Sequence, residues 1–304
     1  MTDHRHLHSL ITGLSSAQRK RNSYRKEFVR LRPNAYVNCQ DWKRLTPKAR
    51  HYLLTLASIH GQRGDEQPVL SHVSAAIMHE LPVWQIPLER VHFTRNGPGS
   101  GRVEKLRHVH TTRLEPRHIV MRNGIALTSA ARTIVDIARS SPFEQAVVVG
   151  DAALHRGLVS ADDLREQIDL LRNAAGMDQA RLAVDFMDGR SESVGESRSR
   201  VLFHREGIGP PRLQALLRDS FGTVIGRVDF LFDEGVVGEF DGKVKYGALL
   251  RPGDDPGDVV FPEEIREDAI REAGWIVIRW TWADLEHPER LIARILNALQ
   301  RAAR

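Results

Sequence analysis

Several residue types and segments are rare or absent in this sequence, and each absence excludes a class of protein before any motif is considered. One of its 304 residues is a cysteine, Cys39, so the chain has neither an internal disulfide nor a cysteine zinc site. No apolar run approaches the roughly 18 residues that a membrane-spanning helix needs. The N-terminus, MTDHRHLHSL, lacks the apolar core of a signal peptide. These absences predict a cytoplasmic protein that does not bind membranes.

The positive charge of the chain is concentrated near its start. Residues 1–50 contain twelve Lys or Arg and three acids, a balance of +9. The net charge of the whole chain is +5, so the other 254 residues sum to −4. A positive segment on a mildly acidic body indicates a polyanionic partner, and DNA is the partner that we expect.

The basic segment has the pattern of a small DNA-binding fold. Ser16 to Asn22 predicts a short helix, and Glu27 to Val37 predicts a hairpin around Pro33-Asn34. Together they resemble a winged helix, whose positive side chains would contact phosphates with little sequence readout. The alternative is a solvated, partly disordered basic arm. The predicted DNA-contacting residues are Arg19, Lys20, Arg21, Arg25, Lys26, Arg30 and Arg32.

Gly226 to Lys243, GRVDFLFDEGVVGEFDGK, gathers acidic residues on two short predicted strands. Because side chains two apart on a strand share a face, Glu239, Asp241 and Lys243 should project together. Asp229 can reach the same side from the neighbouring strand. Crowded carboxylates favour a hard cation such as Mg²⁺, and a lysine beside them suits phosphodiester hydrolysis. The alternative is the solvated outer face of an exposed hairpin.

The flanking segments complete an order of helix, three-strand meander, helix, strand and helix. Ser191 to Glu206 predicts the first helix, Arg212 to Asp219 the first strand, and Pro262 to Ala273 the next helix. Trp275 to Trp280 predicts an apolar strand, and Leu285 to Ala303 a closing amphipathic helix.

This order and its residues resemble the PD-(D/E)XK nuclease superfamily, in particular the branch similar to very-short-patch-repair endonucleases. The resemblance covers about residues 191–304. One departure is Val228, which stands where the motif's name places a proline. The matching stretches are Glu196 in GESRSR, Asp229 in RVDFLF, Glu239 to Lys243, and REDAIREAGW at Arg266 to Trp275.

The resemblance implies a restriction-endonuclease-like αβββαβ core and an endonuclease that uses Mg²⁺ or Mn²⁺. It implies that Asp229 and Asp241 hold the metal, with Glu239 as a further ligand or as the principal acid in place of Asp241. It also implies that Lys243 is the catalytic lysine and that Glu196 approaches the metal from the first helix. Many proteins of this fold have lost cleavage.

Three stretches nearer the start, VLSHVSAAIMHELP, GIALTSAARTIVDIA and VVVGDAALHRGLVSADDL, resemble the N-terminal module of type IV abortive-infection antitoxins. Many actinobacterial proteins fuse such a module to a nuclease-like domain. The expected fold class is α/β (α+β). The expected parts are a winged-helix-like segment at 1–46, a mixed α/β module at 47–175, a helical linker at 176–190 and the nuclease-like domain at 191–304.

Several residues also have a structural interpretation. Ser193 and Glu196 form the Ser-x-x-Glu pattern of a helix cap, which would make Glu196 structural. Among His72, His79 and His92, no residue has a spacing that makes it a convincing third ligand of a metal ion. We therefore expect His72 to cap a helix or to lie in the core, and His79 to be exposed. Asp136 sits in an apolar helix and is predicted to be a buried hydrogen-bonding anchor.

Two hypotheses therefore remain open. The first is a metal-dependent DNA endonuclease with its own DNA-binding module, acting in defence or repair. The second is an antitoxin-type DNA-binding regulator that retains an inactive nuclease fold. A homodimer and a cognate toxin are further partners that the sequence leaves open.

Overall fold

The computed structural model describes residues 10–60, 69–219, 221–233, 235–242 and 269–304. They form two compact units, Met1–Met187 and Asp188–Arg304. Both units are mixed α/β, with three sheets among the described residues. No helix in these ranges is both long and apolar enough to cross a membrane.

The first unit begins with a small three-stranded sheet, and two of the three helices near it pack against it. Strand order in this sheet is β1-β3-β2. Asn34, at the predicted hairpin turn, has a φ of 60°, which asparagine tolerates better than most residues. Leu31 and Val37 share a core with Leu53 of α3, so the basic segment is continuous with the module that follows it. The elements are β1 (Ile11–Thr12), α1 (Ser16–Arg25), β2 (Phe28–Arg32), β3 (Ala35–Asn38), α2 (Cys39–Arg44) and α3 (Pro47–His60).

A six-stranded mixed sheet follows, with the order β6-β7-β5-β4-β9-β8. Its strand β5 pairs in parallel with β7, and β4 pairs in parallel with β9. Val69 and Leu70 form a strand of this sheet, and the helix that follows them begins at His72. The elements are β4 (Val69–Leu70), α4 (His72–Met78), β5 (Val91–Arg95), β6 (Arg102–Val103), β7 (Arg107–Thr111), β8 (Ile119–Arg122) and β9 (Ile125–Thr128).

Four helices complete the first unit around a second core. Ser129 caps the first of them by accepting a hydrogen bond from the Arg132 amide. Thr128 ends β9, and its hydroxyl lies 2.6 Å from that of Thr133. The helices are α5 (Ala130–Ala138), α6 (Phe143–His155), α7 (Ala161–Leu170) and α8 (Met177–Phe186).

The second unit has one four-stranded sheet, ordered β10-β11-β12-β13. The first three strands are antiparallel neighbours, and β12 and β13 are parallel. The predicted closing helix over Leu285 to Ala303 is present from Glu289, whereas Leu285 and Glu286 belong to a separate short helix that ends before His287-Pro288. The elements are α9 (Val194–Arg205), β10 (Arg212–Arg218), β11 (Val224–Phe232), β12 (Val236–Phe240), β13 (Ile276–Trp280), α10 (Trp282–Glu286) and α11 (Glu289–Ala302).

Close approach of α9 to the sheet depends on two features. The Trp280 indole donates a hydrogen bond of 2.8 Å to the Ser199 hydroxyl, which joins β13 to α9. A Cβ at Gly195 would lie 1.8 Å from the Phe240 ring, so glycine is required where the start of α9 meets the end of β12. These contacts fix the start of α9 beside the acidic residues.

Candidate functional site

The candidate site begins where strands β11 and β12 separate. Their pairing runs from Phe232 and Val236 to Phe230 and Gly238. Beyond that pair, the Asp229 carboxylate oxygen Oδ2 accepts a hydrogen bond of 2.9 Å from the Phe240 amide. The Asp229 side chain therefore accepts the hydrogen bond that a backbone carbonyl would accept in a regular sheet, at the point where these two strands separate.

The other side of Asp229 is also irregular. Strand β10 pairs Leu213 with Phe230 and Ala215 with Val228, which leaves Gln214 opposite Asp229. Gln214 has a φ of 52°, a left-handed conformation that is unusual in a strand. Phe230 packs in the cluster with α9, whereas Val228 packs in a different cluster. A regular strand would place Val228 and Phe230 on the same face, so this strand changes face at Asp229.

Glu196 lies next to this irregularity, in the first turn of α9. Its amide donates to the Ser193 hydroxyl at 3.2 Å, so the predicted serine cap is confirmed. Its carboxylate does not return to Ser193 but accepts from the Glu192 amide at 2.9 Å. The same oxygen, Oε2, accepts from the Gln214 side chain at 2.8 Å. Glu196 is thus both part of the helix start and a neighbour of the strand break.

Electrostatics set Asp229 apart from an ordinary surface carboxylate. Burial, with a smaller contribution from the charge of Glu196, raises the pKa of Asp229 from 3.8 to about 6. The hydrogen bonds from Phe240 and Gln214 act in the opposite direction. A divalent cation would relieve the repulsion between the two carboxylates, and oxygen ligands are those that Mg²⁺ takes. The residues present therefore fit a hard metal ion.

The remaining predicted site residues have other surroundings. Glu239 is 9% exposed, and its Oε2 lies 3.0 Å from both Nε and Nη2 of Arg279 on β13. Asp241 is exposed, and its amide donates to the Trp280 carbonyl at 2.8 Å. Lys243 lies outside the described residues, as does Arg266. The structure thus places Asp229 beside Glu196, and it places Glu239 in an ion pair.

Most of the predicted DNA-contacting side chains are exposed. Arg21 and Arg25 contact Glu27 at 3.4 and 3.8 Å. Arg32 is half-buried at the end of β2, and burial lowers its pKa, with Arg107 adding to the effect. The exposed residues are Arg19, Lys20, Arg21, Arg25, Lys26 and Arg30.

Sequence reasoning missed a group of histidines in the first unit. Among the described residues, one set of three His, Cys, Asp or Glu side chains has all its ligand atoms within 4.8 Å: His72, His92 and His110. The signal was His108-Val109-His110, since alternate residues of a strand share a face. The exposed position expected for His79 is wrong, because this residue is 9% exposed and its Nε2 contacts the Thr128 carbonyl at 2.8 Å.

The chain is similar to two proteins of Mycobacterium tuberculosis, "Uncharacterized protein MT2308" and "Uncharacterized protein Rv2248". Each is 29% identical to it over 182 residues, which are 59% of this chain and 64% of the relative. The match thus spans less than two thirds of either relative. No family model matches the chain. No solved structure matches it.

Proposed function

We propose that this chain is a metal-dependent DNA endonuclease whose site lies at the strand break around Asp229. The observation that carries the proposal is the pairing of Asp229 with Glu196 through Gln214, at the end of a sheet that opens there. Strand order and the preceding helix agree with the αβββαβ arrangement that the sequence predicts. The restriction-endonuclease-like core and the winged helix remain part of this proposal.

Each residue has a distinct task in this proposal. Asp229 supplies an oxygen ligand for Mg²⁺ or Mn²⁺, and Gln214 holds Glu196 beside it. Asp241, exposed at the end of β12, would supply a further oxygen. A bound divalent ion would lower the pKa of an attacking water and polarise the phosphodiester. Lys243 would stabilise the negative charge that develops on the phosphate.

Cleavage of supercoiled plasmid by the full chain, with Mg²⁺ and with Mn²⁺, tests the proposal. We expect nicking by the unmodified protein and a loss of about 100-fold or more in Asp229→Asn, since even the outer neighbours of metal ligands contribute 10–100-fold. Asp233→Asn is the matched control, because Asp233 belongs to the same hairpin and its side chain is 87% exposed. Equal cleavage by Asp229→Asn and Asp233→Asn would reject the site.

The lysine is tested separately. Lys243→Ala should remove cleavage and leave metal binding intact, because a protonated lysine offers no lone pair to a metal. Calorimetric Mg²⁺ titration of Lys243→Ala and Asp229→Asn distinguishes the two roles. Loss of Mg²⁺ binding in both variants would contradict the role proposed for Lys243.

In this proposal the exposed basic residues of the first unit bind DNA, and the protein is cytoplasmic. If about six phosphates are contacted, the slope of log K against log salt should be about −5. Replacing Arg19, Lys20 and Arg30 by Gln should reduce that slope by about 3. The control replaces three exposed arginines of the second unit, Arg290, Arg301 and Arg304. An equal reduction of the slope in both variants would indicate that DNA is attracted by the net charge of the protein and not by a defined binding surface.

A second candidate is an antitoxin-type DNA-binding regulator with an inactive nuclease fold. It is favoured by the ion pair of Glu239 with Arg279. Phe240 packs against Gly195 of α9, and strand alternation turns Glu239 away from that helix. Within the described ranges, no three acidic side chains bring their oxygens within 4.8 Å of one another. DNA binding that needs no metal, without cleavage of any substrate, would support this candidate. A homodimer or a cognate toxin would then be its protein partner.

A further inference from the structure

The histidine cluster of the first unit, His72, His92 and His110, plays no part in the proposed cleavage. His72 is the first residue of α4, and the other two lie on the parallel strands β5 and β7. In this pairing His92 is opposite His108, and Thr94 is opposite His110. Three separate segments of the chain therefore bring these imidazoles to one place.

Strand alternation explains why the rings of β5 and β7 share a face. Val91 and Phe93 are buried in the core with α3 and α4, so His92 between them faces the other way. Adjacent strands in register keep His108 and His110 on the same face as His92. The His108 ring stacks on that of His110, with centroids 3.8 Å apart.

His72 carries an unsatisfied ring nitrogen. The residue is 3% exposed, and its Nδ1 contacts the Ser71 hydroxyl at 2.9 Å. Its Nε2 is buried without a hydrogen-bond partner among the described residues. Nearly all buried polar atoms in proteins have a partner, so an orphaned nitrogen points to a bound ion or water. A ring held by one nitrogen while the other presents a lone pair is also typical of metal-ligating histidines.

The candidate ligand nitrogens lie within 4.8 Å of one another, close enough to share one ion. His110 Nε2 and His92 Nδ1 lie 3.1 Å apart and share a hydrogen bond in the metal-free protein. Two nitrogens bound to one tetrahedral zinc ion are about 3.4 Å apart, given Zn–N bonds of about 2.05 Å. The rings of His72 and His110 stack at 3.8 Å with an angle of 15°, so they must tilt for both to aim at one ion.

We propose that His72, His92 and His110 bind one divalent transition-metal ion of the zinc class, with water as the fourth ligand. Imidazole nitrogen suits such ions, whereas Mg²⁺ and Ca²⁺ take oxygen. Nearby Asp136 is already paired with Arg132 and Arg139, so the affinity comes from the three nitrogen bonds. The ion joins the start of α4 to two strands and stabilises the first unit.

Calorimetric titration of the untagged, chelator-treated full chain with ZnCl₂ tests this site, and MgCl₂ serves as the comparison. We expect one equivalent of Zn²⁺ to bind, with no binding of Mg²⁺ at the histidine cluster. His92→Ala and His110→Ala should each weaken Zn²⁺ binding by about 100-fold or more, since even the outer neighbours of metal ligands contribute 10–100-fold. His287→Ala, at an exposed histidine of the second unit, should bind as the unmodified protein does.

Two further variants keep the outcome decisive. His4, His6 and His8 have alternate spacing, and replacing all three by Ala should leave the tight binding unchanged. Zn²⁺ should raise the Tm of the unmodified protein and of His287→Ala, but not that of His110→Gln, whose circular dichroism reports whether it folds. Zn²⁺ binding that survives in both His92→Ala and His110→Ala would overturn the proposal. Zn²⁺ binding that disappears with His4, His6 and His8 would overturn it equally.

Discussion

Two carboxylates, Asp136 of the first unit and Asp229 of the second, are buried completely and in part under opposite electrostatic conditions. Asp136 is fully buried in α5 and receives hydrogen bonds from the Nε of Arg132 at 2.8 Å and of Arg139 at 2.9 Å. Burial would raise the pKa of Asp136, but the positive groups around it lower the pKa below its usual value. Asp229 has a backbone amide and a neighbouring carboxylate instead, and its pKa rises to about 6.

The difference separates an anchor from a candidate binding site. Asp136 has its counter-charges within the protein, so it gains nothing from an added cation. Asp229 lies beside Glu196, and among the described residues the charge of Arg227 lowers its pKa by too little to offset burial. A carboxyl group whose pKa is raised, at a break in a sheet, is therefore a better guide to function than burial alone.

The largest expected effect is on stability. Asp136→Asn should lower the free energy of unfolding of the first unit by about 3–5 kcal/mol, because it leaves the buried Arg132 guanidinium without its partner charge. Asp229→Asn should leave the second unit unchanged or stabilise it by about 1 kcal/mol in metal-free buffer at pH 7, because it removes a repelled charge. Hydrogen exchange in urea, resolved by segment, measures the two units separately.

The contrast between Asp136 and Asp229 requires both of these results. A loss of several kcal/mol in Asp229→Asn would mean that Asp229 is an anchor like Asp136, and the binding-site interpretation would lose its support. Adding Mg²⁺ should stabilise the unmodified second unit and leave Asp229→Asn unaffected.

A smaller effect concerns the contact that brings Glu196 towards Asp229. Gly195→Ala should destabilise the second unit by about 1–3 kcal/mol, since the added Cβ would collide with the Phe240 ring. The same variant should weaken Mg²⁺ binding, because a displaced Phe240 would no longer hold Asp229 through its amide hydrogen bond. Gly209→Ala is the control, as its Cβ would meet no atom within 4 Å. Equal stability of the two variants would show that α9 can move away without cost.

The sequence predicted elements well where the signals are local. The helix from Pro47 to His60 has such signals, because Pro stands at its first position and its apolar side is continuous. The buried anchor at Asp136 is also confirmed, since an acid in an apolar helix must find a partner. At Ser193, the cap was predicted from spacing alone and is present.

Features that depend on strand pairing were not accessible in this way. The ion pair of Glu239 with Arg279 requires β12 and β13 to be parallel and in register, across 40 residues of sequence. The change of face at Asp229 lies opposite Gln214, whose left-handed conformation is not predictable from its residue type. His92 and His110 meet because β5 and β7 pair directly, which no periodicity in either segment predicts.

The smallest expected effect is the pH dependence of stability, which should have opposite signs for the two carboxylates. The pKa of Asp229 is raised on folding, so the folded state binds the proton more tightly than the unfolded state does. Its contribution to stability is full below about pH 4 and is lost as the pH rises towards 6. The pKa of Asp136 is lowered on folding, so its contribution is present above about pH 4 and is lost on further acidification. Urea unfolding of the second unit between pH 4.5 and 7 should therefore show a decline in the unmodified protein that is absent in Asp229→Asn. Saturating Mg²⁺ should flatten the decline in the unmodified protein, because a bound cation compensates the charge that forms. A decline of the same size in Asp229→Asn would assign the proton to another group and remove the contrast between the two carboxylates.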